Sequence, residues 1–324
     1  MDAFARGEFP GTDLESAADI ISSETGSLRA IPRLVQRGLG ADLVGHTMAV
    51  IEELPVDIGP RSWRLSARPQ QISRRLFDMR ERDLDQLVEF WGRGDIHCHV
   101  MGPWSLASRI ELPRGHRAIT DRGAVEEIFT LFAAGVQQHI LDLKKRFGKR
   151  VTLAIYEPDV KDLMRGTLPG TSDFDRIPAM NMEDLAPRLA HCVSVLPNDN
   201  TWLYLRSRED FQIVQHAQFP GLMADIDSLC TAEILDACGE AVASGMPLAL
   251  GAVNPKKPYE SETDLAQRVI RLADEWAIDR CLLLERLSIT HTGDLSEGSQ
   301  LDAAHTLERV RKVAQILEYA GSDL

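Results

Sequence analysis

Long apolar runs are missing from this 324-residue sequence. No stretch approaches the ~18 consecutive apolar residues of a transmembrane helix, so no membrane partner is expected. The first residues, MDAFARGEFPGTD, lack the ~7–15-residue apolar core of a signal peptide. The sequence therefore predicts a cytoplasmic protein.

Basic residues and cysteines are scarce as well. Lys and Arg number 36 against 49 Asp and Glu, and the formal net charge of −13 repels phosphate backbones. No nucleic-acid partner is therefore expected. The five cysteines include no C-x-x-C pair, which favours buried, reduced thiols. Neither G-x-G-x-x-G nor G-x-x-x-x-G-K-[ST] occurs, which excludes the two common nucleotide cradles.

Apolar runs that alternate with helical periodicities fill most of the chain. β-rich runs lie at 96–101, 150–155, 201–205, 221–226, 248–253 and 286–291, with weaker ones at 4–9 and 63–66. Most are continuously apolar, which is typical of parallel strands covered by helices. This alternation predicts an α/β fold, a (β/α)8 TIM barrel, with an open doubly wound sheet as the alternative. We expect one domain over 1–324, with the segment at about 28–70 as a decorating insertion.

In such a barrel, activity belongs at the carboxyl ends of the strands. Polar or aromatic residues that follow the predicted strands are the candidate pocket residues. They are Glu8, His97, His99, Trp104, Glu157, Asp225, Asp227, Asn254, His291 and Asp294.

Two histidine-containing segments have competing interpretations. His97 and His99 lie two apart on one strand, so both can face one metal ion. The alternative is a pair of imidazoles that are hydrogen-bonded inside the barrel. His291 and Asp294 end the last strand and offer further polar groups, although the Gly-Asp pair there is also typical of a turn.

The remaining candidates also have two interpretations each. Glu157 can bind an amine or act as a general base, or it can complement the dipole of the helix that follows. Asp225 and Asp227 point to the same face of a strand, at the mouth of the barrel or in solvent. Trp104 either stacks on a ligand or fills space in the core.

Several longer strings resemble the short, single-barrel relatives of cobalamin-independent methionine synthase. They are FPGTD (9–13), GADLVGHT (40–47), LPVDIGPRSWRL (54–65), GPWSLASRIELPRG (102–115), and EP followed by RGTLPGTS (157–172). The resemblance implies a barrel like the C-terminal catalytic domain of that enzyme, in the methionine synthase and uroporphyrinogen decarboxylase-like group. It covers the first half of the chain best.

The resemblance also implies a chemistry. In that family a zinc ion binds the homocysteine thiol as a thiolate, which then accepts the methyl group of a 5-methyltetrahydrofolate. Compared with the family pattern, Leu203, Leu205 and Gly293 occupy three of the four zinc-ligand positions, and Asp225 or Asp227 occupies the fourth. We therefore expect no metal and no other cofactor.

Other site positions depart from the family pattern as well. Glu8 stands where the family has a serine, and Asn254 lies in GAVNPKK, which replaces a histidine-containing loop. These substitutions predict a methionine synthase-like methyltransferase relative that is divergent or inactive in methionine biosynthesis. One alternative is a non-catalytic pseudoenzyme that binds a small molecule such as a folate or an amino acid. A more distant one is a metal-dependent hydrolase that uses His97 and His99.

Overall fold

The structure, a computed structural model, describes residues 1–59, 63–68, 70–171, 175–196 and 200–322. Ten strands lie in these ranges. In chain order they are β1 (Asp2–Ala3), β2 (Leu28–Ala30), β3 (Val56–Ile58), β4 (Trp63–Leu65), β5 (Gly94–Met101), β6 (Gly148–Tyr156), β7 (Thr201–Leu205), β8 (Gly221–Asp225), β9 (Leu248–Val253) and β10 (Leu287–His291).

Helices follow or surround the strands. In chain order they are α1 (Leu14–Glu24), α2 (Leu43–Val50), α3 (Gln71–Trp91), α4 (Pro103–Arg109), α5 (Arg122–Phe147), α6 (Val160–Arg165), α7 (Met182–Ser194), α8 (Arg208–Ala217), α9 (Ala232–Ala243), α10 (Glu262–Glu275), α11 (Arg280–Arg286) and α12 (Gln300–Ser322). No helix of the described residues is long and apolar enough to cross a membrane.

Eight parallel strands form a nearly closed barrel, in the order β1-β10-β9-β8-β7-β6-β5-β2. The (β/α)8 prediction is therefore confirmed. The six continuously apolar runs of the sequence correspond to β5–β10, with ends that differ by at most two residues. These strands are buried on both faces because helices cover the outside and side chains fill the inside.

The weaker strand candidates need correction. The run at 63–66 does not enter the barrel, because β4 pairs antiparallel with β3 in a separate hairpin. The second barrel strand is instead β2, which pairs in parallel with β5. The segment at about 28–70 thus supplies a short barrel strand, helix α2 and the hairpin. The run at 4–9 follows β1 and continues its pairing by one hydrogen bond, from Phe4 N–H to the Ile289 carbonyl at 3.1 Å.

The barrel has one weakly bonded seam, between β1 and β2. These two strands are the ends of the sheet order, so no ladder joins them. The seam is crossed by an isolated parallel bridge between Glu8 and Arg33, in which the N–H of Phe9 donates to the Arg33 carbonyl at 2.9 Å. A second backbone bond also crosses the seam, in which the Gly26 N–H donates to the Ala3 carbonyl at 3.3 Å.

Candidate ligand-binding site

The two histidines of β5 lie inside the barrel, below its mouth. His97 packs against Phe4 and Trp202, with ring centroids 4.6 and 5.7 Å away, and His99 lies 5.8 Å from Tyr156. None of their ring nitrogens has a hydrogen-bond partner in the described chain. Burial lowers the pKa of His97 to about 3 and that of His99 well below its usual value, so both are neutral.

Above this level, Arg6, Tyr204 and Asp225 form a buried cluster. The Arg6 guanidinium donates to Asp225 Oδ1 at 2.5 Å and to the His291 carbonyl at 2.6 Å. Its carbon lies 4.4 Å from the centroid of the Tyr204 ring, whose hydroxyl donates to Asp225 Oδ2 at 2.8 Å. Burial opposes the charge of Arg6, but Asp225 and Tyr204 outweigh it and raise the pKa of Arg6. The charge of Arg6 is therefore balanced by a carboxylate of the protein.

Glu8 and Asp294 lie beside this cluster and hold the ends of β1 and β10 together. Asp294 Oδ1 accepts the backbone N–H of Glu8 at 2.8 Å. One carboxylate oxygen of Glu8 accepts the Ser296 hydroxyl at 2.9 Å, and the other lies 3.3 Å from a guanidinium nitrogen of Arg33. A side chain on Gly7 would overlap Asp294, since an added Cβ would lie 2.2 Å from Oδ1. The tight turn at Gly7, with φ of 69°, therefore requires glycine.

Arg33 is the least satisfied charged side chain of the mouth. It is only 5% exposed, yet its sole ion contact in the described chain is the one with Glu8 at 3.3 Å. Its Nε has no partner, and none of its side-chain N–H groups forms a hydrogen bond with a described residue. Burial lowers the pKa of Arg33 more than Glu8 raises it. The five N–H donors of this guanidinium are thus served by one ion contact at the mouth.

Glu157 follows β6 and is buried under helix α4. Its two carboxylate oxygens accept the backbone N–H groups of Trp104 at 3.1 Å and Ser105 at 2.8 Å. Burial raises the pKa of Glu157 to about 8, although these bonds favour the carboxylate. Glu157 therefore caps α4, which precedes it in the chain, rather than the following helix that the sequence pattern indicates.

A cavity of about 280 Å³ opens at the carboxyl ends of the strands, and we call it the central cavity. Arginines, tyrosines and acids supply most of its polar surface. The cavity is lined by Arg6, Gly7, Glu8, Arg33, Leu43, Met101, Arg109, Tyr156, Glu157, Pro158, Tyr204, Arg206, Gly293 and Asp294. Glu8, Glu157 and Asp294 are thus brought together as the strand-end rule predicts.

A second cavity, of about 530 Å³, adjoins the first at Gly293 and Asp294. We call it the rim cavity. Asp225, Asp227 and Asn254 line it. Asp227 accepts a hydrogen bond from Arg268 at 2.7 Å, and Asn254 Oδ1 accepts the backbone N–H of Lys256 at 2.9 Å. The two aspartates therefore both reach the mouth, but Asp225 faces the barrel axis and Asp227 the rim.

Trp104 and His291 have structural surroundings and do not line either cavity. The Trp104 ring packs edge-on against Phe129 at 4.6 Å, and its Nε1–H donates to the Leu185 carbonyl at 3.1 Å. His291 Nε2 accepts the backbone N–H of Arg6 at 3.1 Å, which ties β10 to the residues after β1. His99 lies one layer below the central cavity, next to Tyr156.

On β7, the two positions that the family resemblance assigns to zinc ligands lie outside the barrel interior. Leu203 and Leu205 pack in the large apolar cluster beneath the helices, whereas Trp202 and Tyr204 belong to the barrel interior. Gly293 does lie at the mouth, with open space where a side chain would project. In the part of the chain that the structure describes, no group of three or more His, Cys, Asp or Glu is arranged to hold a metal ion.

The sequence pattern missed the four arginines of the central cavity. Arg6 and Arg206 could have been identified from the sequence, because each lies two residues beyond a side chain of the barrel interior, Phe4 or Tyr204. Arg109 lies on α4, and Arg33 follows the three-residue strand β2. Neither offers a periodicity that distinguishes it from a surface arginine.

Known structures share this fold. A B12-independent methionine synthase from Shewanella sp. W3-18-1, solved in complex with selenomethionine, is similar with a TM-score of 0.54 and 12% identity over 81% of this chain and 72% of that one. A methyltransferase from Methanosarcina mazei is similar with a TM-score of 0.51 and 13% identity, over 85% and 77% of the two chains. No protein-family model matches the sequence. No curated protein matches it either.

The chain has the barrel fold of these two proteins. At such low identity the likeness shows the fold alone.

Proposed function

We propose that this chain is a methionine synthase-like barrel protein that no longer carries out zinc-dependent methyl transfer and binds a small organic anion at its mouth. The single observation that carries the proposal is Arg33, a buried side chain that lines the central cavity, whose Nε has no hydrogen-bond acceptor and whose one ion contact in the described chain is with Glu8 at 3.3 Å. Its fold-sharing neighbours include a methionine synthase and a methyltransferase, which supports a distant relation to such enzymes.

The donor set does not fit a catalytic zinc ion. Zinc sites need three or four Cys, His or carboxylate ligands. The interior positions of β7 hold Trp202 and Tyr204, the adjacent Leu203 and Leu205 lie under the helices, and Gly293 has no side chain. The Asp225 carboxylate is already paired with Arg6. This disagreement supports a protein without metal, and it also counts against a hydrolase based on His97 and His99.

The energetics of Arg33 favour an anionic ligand. A buried charged donor without an acceptor costs more than the ~1–3 kcal/mol of a neutral unsatisfied group. A carboxylate that enters the central cavity and accepts two N–H bonds from Arg33 would remove this cost and form the strong, bidentate type of pair. Arginine is suited to this role because its planar fork matches carboxylate geometry.

The size of the central cavity narrows the class of ligand. At about 280 Å³ it lies at the small end of ligand pockets, which span ~300–1,000 Å³ for drug-sized molecules. An acid of amino-acid size therefore suits it better than a complete folate. The two tyrosine rings of its wall, Tyr156 and Tyr204, lie 5.0 Å apart and provide apolar surface for a short carbon chain.

Thermal unfolding in the presence of small carboxylic acids tests the proposal. Binding to the native state raises the melting temperature, by the equivalent of ~2.7 kcal/mol at 100 times Kd. We expect glutamate, glutarate or pentanoate to stabilise the wild type and the Arg122→Gln control, whose side chain is 85% exposed. Arg33→Gln should lose the effect. No stabilisation by any of these acids, or equal stabilisation of Arg33→Gln, would contradict anion binding.

Metal analysis and a methionine assay test the other half of the proposal. The purified protein should contain no stoichiometric zinc, and with added zinc it should form no methionine from homocysteine and a polyglutamylated 5-methyltetrahydrofolate. A free thiol of pKa ~8.5 is a poor nucleophile without the metal. Bound zinc, or methionine formed well above a heat-denatured control, would show that the zinc chemistry persists.

A further inference from the structure

We propose that the ligand carries two anionic groups, one bound by Arg33 and the other by Arg206 on the opposite wall of the central cavity. This inference rests on the proposed function and narrows its ligand to a short organic dianion such as a dicarboxylate. Four arginines line the central cavity, and they differ in how strongly carboxylates of the protein already pair with them.

Two of the four arginines already form short hydrogen-bonded pairs with carboxylates of the protein. Arg6 is held by Asp225 and by a backbone carbonyl. Arg109 forms a two-bond fork with Asp159, with distances of 2.6 and 2.8 Å. Such bidentate pairs satisfy both the charge and the geometry of the guanidinium.

Arg206 forms no ion pair within the described residues, and Arg33 has only the single contact with Glu8 at 3.3 Å. The Arg206 guanidinium donates to the Pro158 carbonyl at 3.3 Å. Pro158 also lines the central cavity, so this bond holds the guanidinium beside the cavity. The side chain is exposed, and it therefore forms the outer part of the wall.

The topology separates these two arginines. Arg33 follows β2 and Arg206 directly follows β7, and β5 and β6 lie between those strands on the shorter path around the barrel. The two guanidinium groups therefore approach the central cavity from different sides. A short chain with an anionic group at each end can therefore contact both.

The surface between the two arginines suits a carbon chain. Tyr156 and Tyr204 lie side by side on the neighbouring strands β6 and β7, with ring centroids 5.0 Å apart, and Met101 also lines the cavity. The Tyr156 hydroxyl has only a weak contact with the sulfur of Met223, at 3.9 Å. A dicarboxylate of four to six carbons thus has apolar contacts along its length and a donor at each end.

Calorimetric titration with matched acids tests this inference. The probes are succinate, glutarate and adipate, each compared with the monocarboxylate of equal carbon number: butyrate, pentanoate and hexanoate. We expect at least one dicarboxylate to bind the wild type about tenfold or more tightly than its matched monocarboxylate. Arg206→Gln should remove this advantage by weakening the dicarboxylate more than its matched monocarboxylate. Arg208→Gln, on an exposed neighbour paired with Glu233, is the control and should keep the preference.

The outcomes separate the inference from the proposed function. Equal affinities for both series in the wild type, or an undiminished dicarboxylate preference in Arg206→Gln, would overturn the second anionic group and leave the first intact. Weak, Arg33-independent binding of every acid would overturn the proposed function itself. Because Arg206 is exposed, its variant should melt with the wild type, and a circular-dichroism melt checks this.

Discussion

The interior of the barrel has two layers of opposite chemistry, built by the same strands. The lower layer is neutral and largely aromatic: Phe4, His97 and Trp202 pack on one another with Ala154 and Met223 around them. No carboxylate or guanidinium lies among these five side chains. Their contacts are those of a packed protein core, in which shape and apolar burial dominate stability.

The upper layer begins two residues further along several strands and contains the charged groups. Arg6 stands above Phe4, Tyr204 above Trp202, and Asp225 above Met223. Since side chains alternate along a strand, residues two positions apart face the same way. Two residues along a strand are therefore enough to lead from the packed core to the ligand site. The comparison teaches that substitutions in the lower layer should act on folding, and substitutions in the upper layer on binding.

Trp202→Ala should produce the largest effect. The indole is 5% exposed in the lower layer, and truncation of a buried Trp leaves a cavity that costs about 3–5 kcal/mol. Urea unfolding measures the loss directly. Arg206→Ala, above it on the same strand, removes an exposed side chain and should change stability by less than ~0.5 kcal/mol. Similar losses in the two variants would break the distinction between the layers.

The pH dependence of stability should differ in sign between the layers. Burial lowers the pKa of His97 to about 3, so the unfolded chain binds a proton that the folded chain does not. The stabilisation that results is fully present above pH ~6.5, the pKa of an unfolded histidine. Below that pH the free energy of unfolding falls by up to ~1.4 kcal/mol per pH unit. His97→Leu should flatten this acid limb, and the exposed His305→Leu should not.

Glu157 should give the opposite slope at the mouth. Burial raises its pKa to about 8, so the folded state holds a proton that the unfolded state releases above pH ~4.5. Stability from this group is complete below that pH and is lost as the pH rises through 8. In unfolding curves from pH 5 to 8.5, Glu157→Gln should therefore lose less stability than the wild type. If Glu157→Gln loses as much stability as the wild type over this pH range, groups other than Glu157 cause the loss.

Arg33→Met should have a small effect on folding, and with an unusual sign. Removal of a buried guanidinium without hydrogen bonds should stabilise the ligand-free protein by about 1 kcal/mol, because methionine fills similar space without a desolvation cost. Arg37→Met breaks a pair with Asp83 at 2.7 Å and should be neutral or destabilising. A clear loss of stability in Arg33→Met would show that Arg33 supports the fold rather than a ligand.

The sequence predicts the long strands well and the short ones poorly. Strands β5–β10 are apolar runs that need both faces buried, so their composition alone distinguishes them. β2 has three residues with Arg29 at its centre, and its strand character comes only from pairing with β5. The hairpin strand at Trp63 shows the reverse case, because its composition is that of a strand but its partner lies outside the barrel.

The candidate site likewise contains residues that the sequence identifies and features that it does not. Glu8, Glu157 and Asp294 follow strands, so the strand-end rule finds them without knowledge of any contact. The lack of partners at Arg33 is a property of its surroundings and has no counterpart in the sequence. Register is equally hidden: a shift of one residue on β7 exchanges Leu203 for Tyr204 at the barrel interior.

The seam between β1 and β2 has a mechanical consequence. A ring of strands bends most easily where the fewest bonds cross it, and here the backbone bonds from Phe9 to Arg33 and from Gly26 to Ala3 join the two edges. Arg33 and Glu8 stand on opposite sides of this joint. A ligand that draws Arg33 toward the barrel axis therefore pulls on the most compliant part of the wall. Ligand binding at Arg33 is therefore expected to move β2 relative to β1 more than it moves the strands that are joined by ladders.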